Sequence, residues 1–523
     1  MENIRSRLKF GNKVEDVKLR KRKSQLYSKE DESSLNDGVL RARVVVFCVL
    51  LRLINCFLVQ TSFVPDEYWQ SLEVSHRMVF KYGYLTWEWK EGLRGFSYPL
   101  LFACIYKILY SINYDSVFLL IWLPRIIQAV LAAFADIKFF YLIQTLQSPD
   151  VAKWTFFCHL CSWFSWFCCT RTLSNSMETT LTCLALFYFP LPESKTHSSK
   201  KYLTLVALAV IIRPTALIVW FPLLMYHFCQ EEDKLRLITH NYIPLGAVAV
   251  VLSTVIDCIF YEKLTLVQFN FLKFNIFHGV ADFYGSHPWH WYLTQGFPVV
   301  IGPHLPLFLH GCSLAFKKYK ILLVSIVWTV LVYSLLPHKE FRFIYPVLPF
   351  CMFFCGISLA RLKAWRRAAA LVLLVSNLSA ALYTGLVHQR GTLDVMSHIQ
   401  TLCDTSSTQS PPDVLFLMPC HSTPLYSHVH CPINMRFLEC PPDLGEEGYI
   451  DEADIFYDDP LHWLRTSFPY KSSLPTHLVL FDVLEAEISV FLNGSSFART
   501  AEIFHTHFPE GRVGGSVFIY ERH

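Results

Sequence analysis

Long apolar stretches alternate with short polar segments along most of the chain. The first stretch runs from about Val39 to Gln60. The others cover residues 98–113, 117–146, 153–170, 178–192, 202–228, 240–261, 291–312, 321–337, 343–360 and 368–387. A helix needs about 20 apolar residues to cross a bilayer, so one crossing for each stretch gives about eleven spans. The pattern therefore predicts an α-helical multi-pass membrane protein with a transmembrane domain over residues 39–388.

The composition agrees with this class. Hydrophobic residues make up 53% of the 523 residues and charged residues 17%, and the mean hydropathy is +0.33, which is too apolar for a soluble protein of this size. The net charge of +4 gives no reason to expect nucleic-acid binding. Many of the 17 cysteines lie inside apolar runs, where a thiol behaves as a small buried hydrophobe, so we expect no metal site.

Basic residues set the expected orientation of the spans. Residues 18–23 read Lys-Leu-Arg-Lys-Arg-Lys and precede the first span, together with Arg41 and Arg43. Cytosolic segments are rich in Lys and Arg, which places the amino terminus, with a disordered tail over residues 1–38, in the cytosol. Two later clusters agree: Lys317, Lys318 and Lys320, and then Arg361, Lys363, Arg366 and Arg367. The loop over residues 61–97 and the carboxy terminus are then lumenal.

Two arrangements of residues 153–228 are open. One crossing for each stretch leaves three lysines on the lumenal side, against the positive-inside tendency: Lys195, Lys200 and Lys201. These lysines become cytosolic if residues 153–192 cross once as a broken pair and residues 202–228 enter and return, with a break at Arg213–Pro214. Proline ends the preceding helix and arginine is costly in hydrocarbon, so we favour this arrangement. The alternative is an Arg213 that only extends to the interface.

A soluble lumenal domain is expected over residues 389–523, where no stretch is long enough to span. Short β-like segments (residues 413–418, 477–481 and 517–520) and a helix-like stretch over residues 482–491 predict a small α/β fold. Four cysteines either stay free or form two disulfides in one of three connectivities: Cys403, Cys420, Cys431 and Cys440. Asn493 begins a glycosylation sequon on this side, whereas the sequon at Asn377 lies within the last span.

The first outer loop carries two acids directly after the first span, Asp66 and Glu67. A carboxylate at this position either caps the end of a helix in contact with solvent or forms part of a binding site. The loop continues with aromatic and charged side chains: Tyr68, Trp69, Trp87, Glu88, Trp89, Glu91, Arg94 and Tyr98. Aromatic rings beside carboxylates suit a polar, ring-shaped ligand, which stacks on the rings and hydrogen-bonds to the carboxylates. This loop is therefore a candidate binding site.

A second constellation, His338-Lys339-Glu340-Phe341-Arg342-Phe343, lies between two spans on the lumenal side. Basic residues are disfavoured there, so three potential cations indicate contact with an anion at the membrane surface. Interfacial anchoring is the alternative, in which Glu340 pairs with Arg342 or Lys339. Arg171 and Arg213 are further candidates for the same anion.

Together these motifs resemble the GT-C mannosyltransferases of glycosyltransferase family 22. The likeness rests on Pro65–Gln70, Thr86–Trp89, Leu93–Arg94 and His338–Phe343, and it covers nearly the whole chain. Within the family, Pro-Asp-Glu-Tyr-Trp-Gln is most similar to the enzymes that add the third mannose of the glycosylphosphatidylinositol (GPI) anchor. His-Lys-Glu-x-Arg-Phe is shared across the family and does not choose the acceptor. Gly95 stands where serine is expected.

The resemblance implies an endoplasmic-reticulum enzyme that transfers mannose from dolichyl phosphate mannose to a dimannosylated GPI lipid, forming an α-1,2 bond with inversion. Asp66 would then be the general base, and Glu67 would position the acceptor or tune Asp66. The donor phosphate would meet His338, Lys339, Arg342 and, less directly, Arg213. Acceptor or sugar contacts are expected from Tyr68, Trp69, Trp87, Glu88 and Arg94. Because the leaving group is a lipid monophosphate, side-chain cations suffice, and we expect neither metal nor cofactor. The expected partners are membrane lipids, and the oligomeric state is open.

Three other functions are alternatives. A mannosyltransferase of the same family acting on a dolichol-linked oligosaccharide is the nearest alternative. A polar-lipid transporter usually shows internal repeats and polar residues near mid-membrane, whereas the informative charges here gather at the lumenal ends of the spans. A non-catalytic scaffold leaves the acidic first loop unexplained.

Overall fold

The computed structural model describes residues 41–194, 196–274, 285–405, 411–442 and 449–523. The predicted tail over residues 1–38, and Lys195, lie outside these residues. The chain divides into two compact units, Met1–Leu51 and Arg52–His523. Residues 41–51 of the first unit are helical, and the second unit begins with helical residues 52–58.

The described chain up to Leu386 is mostly helical, as its apolar stretches predict. The α-helices of the second unit up to this point are Glu73–Phe80, Trp87–Lys90, Ser97–Ser111, Val117–Leu146, Pro149–Cys161, Trp163–Cys168, Ser174–Tyr188, Ser199–Ile212, Ala216–Gln230, Lys234–Leu237, Ile243–Tyr261, Val267–Leu272, Phe297–Ile301, Leu305–Ala315, Lys320–Leu335, Leu348–Arg361 and Arg366–Leu386. Wider π-helical turns cover Tyr68–Leu72, Ile238–Tyr242 and Tyr292–Gly296, and tighter 3-10 turns cover Gly302–His304 and Phe341–Val347.

Five helical segments among the described residues are long and apolar enough to cross a membrane: Val117–Leu146, Lys234–Tyr261, Tyr292–Ala315, Phe341–Arg361 and Arg366–Thr405. Ala216–Gln230 and Lys320–Leu335 are shorter apolar helices. The α-helical multi-pass class is therefore confirmed, whereas the number of about eleven spans stays a prediction.

The helix break predicted at Arg213–Pro214 is confirmed. Helix Ser199–Ile212 ends because Arg213 adopts extended backbone angles (φ −147°, ψ 105°), which a following proline favours, and the next helix starts at Ala216. The stretch over residues 153–192 is also broken, at Ser162 and again over residues 169–173. Both breaks place polar backbone and side chains within the helical part of the chain.

Helix Leu348–Arg361 forms the centre of the membrane part and is buried on nearly all sides. It packs against Pro149–Cys161 and Leu305–Ala315. Two glycines make these approaches close, because a Cβ on Gly356 would collide with Thr155 and one on Gly311 would collide with the Phe354 carbonyl.

The carboxy-terminal domain is a small α/β unit, as predicted. Its strands are β1 (Asp413–Leu417), β2 (Asn434–Phe437), β3 (His477–Phe481), β4 (Phe497–Phe504) and β5 (Ser516–Arg522). The sheet order is β2-β1-β3-β5-β4, with β1 parallel to β2 and β3, and β5 antiparallel to β3 and β4. Its helices are Gly391–Thr405, Tyr426–Val429, Glu452–Asp458, Pro460–Ser467 and Asp482–Gly494, with a 3-10 turn at Lys471–Ser473.

Both faces of the central strands are buried. Alternate residues such as Val414 and Val479 face a core shared with Tyr68 and Trp69 of the first outer loop. The intervening residues face the helices of the domain itself. Disulfides join Cys403 to Cys431 and Cys420 to Cys440, which is one of the three connectivities left open by the sequence. The sheet thus packs directly against the loop that carries Asp66.

Candidate active site

Asp66 lies in a tight turn directly after the first helix. The Glu67 and Tyr68 amides donate to the carbonyls of Val64 and Pro65, and this turn leads into the π-helical turn Tyr68–Leu72. The Asp66 side chain is 25% exposed, and its Oδ2 lies 2.6 Å from Arg342 Nη1. The two sequence motifs therefore meet at this ion pair.

Arg342 is held from a second side by Glu340. Its Nε donates to Glu340 Oε2 at 2.6 Å and its Nη2 to Oε1 at 2.5 Å, a bidentate arrangement. His338 Nε2 lies 3.1 Å from the same Oε1. Burial opposes ionisation of Glu340, but the charge of Arg342 and the hydrogen bond from His338 hold its pKa below the usual range. Hydrogen bonding to Glu340 raises the pKa of His338.

Lys339, also predicted to meet the donor phosphate, contacts backbone carbonyls. Its Nζ donates to the carbonyls of His287 (2.8 Å), Leu336 and Pro337 (3.4 Å), and the residue is buried. Leu336 and Pro337 directly follow helix Lys320–Leu335. The ammonium group therefore satisfies backbone carbonyls just beyond the helix end. A phosphate contact by Lys339 stays a prediction.

Glu67 occupies a different environment from its neighbour Asp66. It is 2% exposed, and its Oε2 lies 2.8 Å from Arg171 Nη1. Arg171 is fully buried and also donates to the carbonyls of Thr61 (2.6 Å) and Phe167 (2.8 Å). This pair fixes the first outer loop to the helix break at residues 169–173.

Arg213 reaches the same region from the break at Pro214. Its Nε lies 3.3 Å from Glu178 Oε2, and its Nη1 donates to Ser174 Oγ at 3.4 Å. Its guanidinium lies over the Phe343 ring at 5.2 Å, and that of Arg342 lies 5.5 Å from the centre of the same ring. Phe343 therefore links the two arginines that were predicted to meet the donor phosphate.

Tyr68 and Trp69 are buried against the carboxy-terminal domain. The Tyr68 ring packs edge-on against His428 at 5.2 Å, and Trp69 lies 5.0 Å from His421. Trp69 Nε1 also donates to the Thr423 carbonyl at 3.2 Å. These rings hold the domain against the loop, and their predicted contact with a sugar stays a prediction.

Glu88 and Arg94 form a pair beside Asp66. Arg94 Nε and Nη2 donate to Glu88 Oε1 at 3.1 and 2.6 Å, and Trp87 is half-buried on the same short helix. Burial lowers the pKa of Arg94, but the charges of the Glu88 and Asp66 carboxylates outweigh this effect, so the pKa of Arg94 is raised. Asp66 is thus near both Arg94 and Arg342.

The structure adds residues that the sequence analysis did not identify. Glu73 is fully buried, and its carboxylate accepts from the amides of Leu425 (2.8 Å), Tyr426 (3.1 Å) and Ser427 (3.0 Å). It thereby holds the start of a short helix of the carboxy-terminal domain. Asp257, inside a predicted span, accepts from the Phe96 amide at 2.7 Å. For Asp257 the sequence offers one signal, an acid within an apolar run, whereas the polar neighbours of Glu73 give no such signal.

Among the described residues, one group of ligand atoms from His and Cys lies close enough together to be considered as a metal site. These atoms belong to Cys420, His421 and Cys440 and lie within 4.8 Å of one another. Cys420 and Cys440 are joined to each other, so their sulfurs are not thiolates. This group does not fit a metal.

The two sequons differ in access. Asn493 is exposed near the end of helix Asp482–Gly494. Asn377 is fully buried, and its Nδ2 donates to the Leu373 carbonyl at 2.8 Å. The expectation that Asn377 is inaccessible agrees with this burial.

Known proteins resemble this chain in sequence over nearly its whole length. The model of the Alg9-like mannosyltransferase family matches residues 43–430. The chain is 66% identical over 524 residues to GPI alpha-1,2-mannosyltransferase 3 of Danio rerio, covering 100% of this chain and 98% of the relative. It is 61% identical over 511 residues to GPI alpha-1,2-mannosyltransferase 3 of Homo sapiens, covering 97% and 92%.

A solved structure shares the fold. ArnT from Cupriavidus metallidurans bound to undecaprenyl phosphate superposes with a TM-score of 0.58 at 14% identity, covering 92% of this chain and 97% of that one. At this identity the likeness concerns the GT-C fold alone.

Proposed function

The chain belongs to the Alg9-like mannosyltransferase family, and on this premise we propose that it transfers mannose from dolichyl phosphate mannose to the second mannose of a GPI-anchor precursor. The enzyme class and the step in GPI biosynthesis are inferred from two relatives, 61% and 66% identical, that are named GPI alpha-1,2-mannosyltransferase 3. The bond formed is then an α-1,2 linkage, and the product carries the third mannose.

The observation that carries this proposal is the Asp66–Arg342 pair. A carboxylate that can take a proton and a guanidinium that can bind a phosphate lie 2.6 Å apart. In the structure the two groups contact each other, so the substrates must separate them before Asp66 can face the acceptor hydroxyl and Arg342 the donor phosphate on opposite sides of the anomeric carbon.

Each of these residues has one part in the transfer reaction. The acceptor hydroxyl oxygen forms a bond to the anomeric carbon of the donor mannose, while the bond from that carbon to the phosphate oxygen breaks. Asp66 takes the hydroxyl proton, and the departing dolichyl phosphate keeps the electron pair of the broken bond. Arg342 and His338 meet the charge of this phosphate, and Arg213 assists from the other side of Phe343. Attack opposite to the leaving group inverts the anomeric carbon in a single step.

Glu67 positions the loop in this mechanism. Its side chain is 2% exposed among the described residues and is paired with Arg171, which disfavours contact with a hydroxyl group of the acceptor. Asp66, which is 25% exposed, is the carboxylate of the two that solvent and substrate can reach.

Both substrates of the proposed reaction are lipids, so we place the enzyme in the endoplasmic reticulum membrane with the Asp66 loop and the carboxy-terminal domain in the lumen. The basic clusters before the first span and around residues 317–320 and 361–367 support this orientation.

Labelled dolichyl phosphate mannose supplied to microsomes that contain the protein tests the proposal. Label in a GPI lipid that gains a third mannose is the expected result. Label in a dolichol-linked oligosaccharide instead would identify the alternative acceptor. Absence of any transfer, with a folded protein and an intact donor, would contradict the proposed donor.

A further inference from the structure

The Glu340 carboxylate lies between the two cations that are assigned to the donor phosphate. Its Oε1 accepts from Arg342 Nη2 at 2.5 Å and lies 3.1 Å from His338 Nε2. Its Oε2 accepts from Arg342 Nε at 2.6 Å. A single carboxylate therefore contacts both cations.

The backbone of Glu340 is fixed in turn. Its amide donates to the Tyr292 hydroxyl at 3.2 Å, and that hydroxyl donates to the Glu340 carbonyl at 2.8 Å. Next to it, Lys339 Nζ is held by three backbone carbonyls. Because these contacts lie on separate parts of the chain, the carboxylate is held in place before any substrate arrives.

We propose that Glu340 is a positioning residue that orients Arg342 and keeps His338 protonated for the donor phosphate. The inference rests on the proposed function, and it adds a role for an acid that does not itself contact the substrates. An isolated structural ion pair would share the distances above, but it would not link donor use to the protonation of His338.

The sign of the effect follows from the surroundings of His338. Among the described residues, the charged groups that face it are Glu340 and the Arg342 guanidinium, while the Gly285 carbonyl lies 3.3 Å from its Nδ1 and the Phe343 ring 5.9 Å away. The hydrogen bond to Glu340 raises the pKa of His338, whereas burial and Arg342 lower it. Donor use should therefore be full at low pH and should fall as the pH rises through the raised pKa. Removing the Glu340 charge moves that fall to lower pH.

The experiment measures kcat/KM for labelled dolichyl phosphate mannose as a function of pH in wild type, Glu340→Gln and Glu340→Asp. In Glu340→Gln we expect about a tenfold loss near neutral pH and recovery to within about threefold of wild type near pH 6. Glu340→Asp keeps the charge, so its alkaline fall should stay close to that of wild type. In His338→Gln the fall should disappear.

One control variant and two outcomes separate the possible failures. Glu231→Gln removes the acid of another Glu–His pair, with Glu231 Oε2 3.5 Å from His227 Nε2, and it should leave the profile unchanged. If wild type does not use this donor, the proposed function fails. If wild type uses it and Glu340→Gln shows only a loss that is equal at every pH, the inference fails. Where Glu340→Gln does not fold, an alkaline fall that persists in His338→Gln overturns the inference instead.

Discussion

The Asp66 carboxylate and the Arg342 guanidinium form an ion pair of 2.6 Å, although they belong to loops that are far apart in the sequence. The first loop follows the first helix, and the second precedes the buried helix Leu348–Arg361. The pair therefore joins two separate motifs into one site. The roles to test are proton acceptance by Asp66 and phosphate binding by Arg342.

Replacing Arg342 should weaken donor use. A charge-assisted contact with phosphate contributes about 1.5 to 3 kcal/mol, so Arg342→Ala should lower kcat/KM for dolichyl phosphate mannose roughly tenfold or more. Arg342→Lys should recover only part of this loss, because an ammonium cannot reproduce the bidentate contact with Glu340. Donor titrations of folded protein measure both effects, and wild-type kinetics for Arg342→Ala would remove this residue from the site.

Replacing Glu67 should instead affect stability. Glu67→Gln leaves Arg171 fully buried without a counter-charge, and breaking such a pair typically costs about 3 to 5 kcal/mol. The melting temperature in detergent should fall markedly. As a control, Glu193→Gln removes an exposed pair with Lys318 and should leave the melting temperature unchanged. Equal melting temperatures for wild type and Glu67→Gln would argue against a structural role for this pair.

Much of the fold could be predicted from the chain because it depends on local patterns. Apolar stretches indicated the membrane class, Arg213–Pro214 indicated a helix break, and three short apolar segments matched β1, β3 and β5. Strands β2 and β4 were not predicted. β2 has four residues and β4 is mostly exposed at the sheet edge, so neither shows a run of apolar residues.

The environments within the site could not be predicted in the same way. Asp66 and Glu67 are adjacent and chemically alike, yet the turn after Pro65 leaves one partly exposed and buries the other beside Arg171. The contact of Trp69 with a sugar stays a prediction, whereas the packing of its ring against His421 of the carboxy-terminal domain was not predicted. Such outcomes depend on how distant segments pack, which no spacing in the sequence records.

Serine at position 95 should stabilise the protein. A Cβ on Gly95 would lie 3.5 Å from both Asp257 carboxylate oxygens, which is ordinary contact, and Asp257 Oδ2 has no hydrogen-bond partner among the described residues. The hydroxyl of Gly95→Ser can donate to this oxygen and contribute about 1 kcal/mol. Its melting temperature should exceed that of wild type and of the control Gly95→Ala. A Gly95→Ser protein no more stable than Gly95→Ala would exclude the hydrogen bond.

Glycosylation should report the orientation of the carboxy-terminal domain. If this domain is lumenal, glycosidase treatment should increase the gel mobility of the protein, and Asn493→Gln should abolish this change because the exposed sequon is lost. Asn377→Gln is the control, since Asn377 is fully buried. A tag at His523 should resist protease in intact microsomes. Digestion of that tag would place the domain in the cytosol.

Replacing Asp66 should stop the chemistry and leave the protein folded. Asp66→Asn keeps the size of the side chain but cannot take the acceptor proton, and loss of a positioned base typically lowers the rate by about 10² to 10⁴. Because Asp66 is 25% exposed, an amide at this position has access to water and should not unfold the loop. We therefore expect kcat to fall strongly, with abundance, melting temperature and donor binding near those of wild type. Asp115→Asn is a matched control, because Asp115 is 28% exposed and lies 3.5 Å from His430, outside the site, and it should retain turnover. Full mannose transfer by folded Asp66→Asn would assign the proton to another group, and Glu88, paired with the nearby Arg94, would be the next carboxylate to replace.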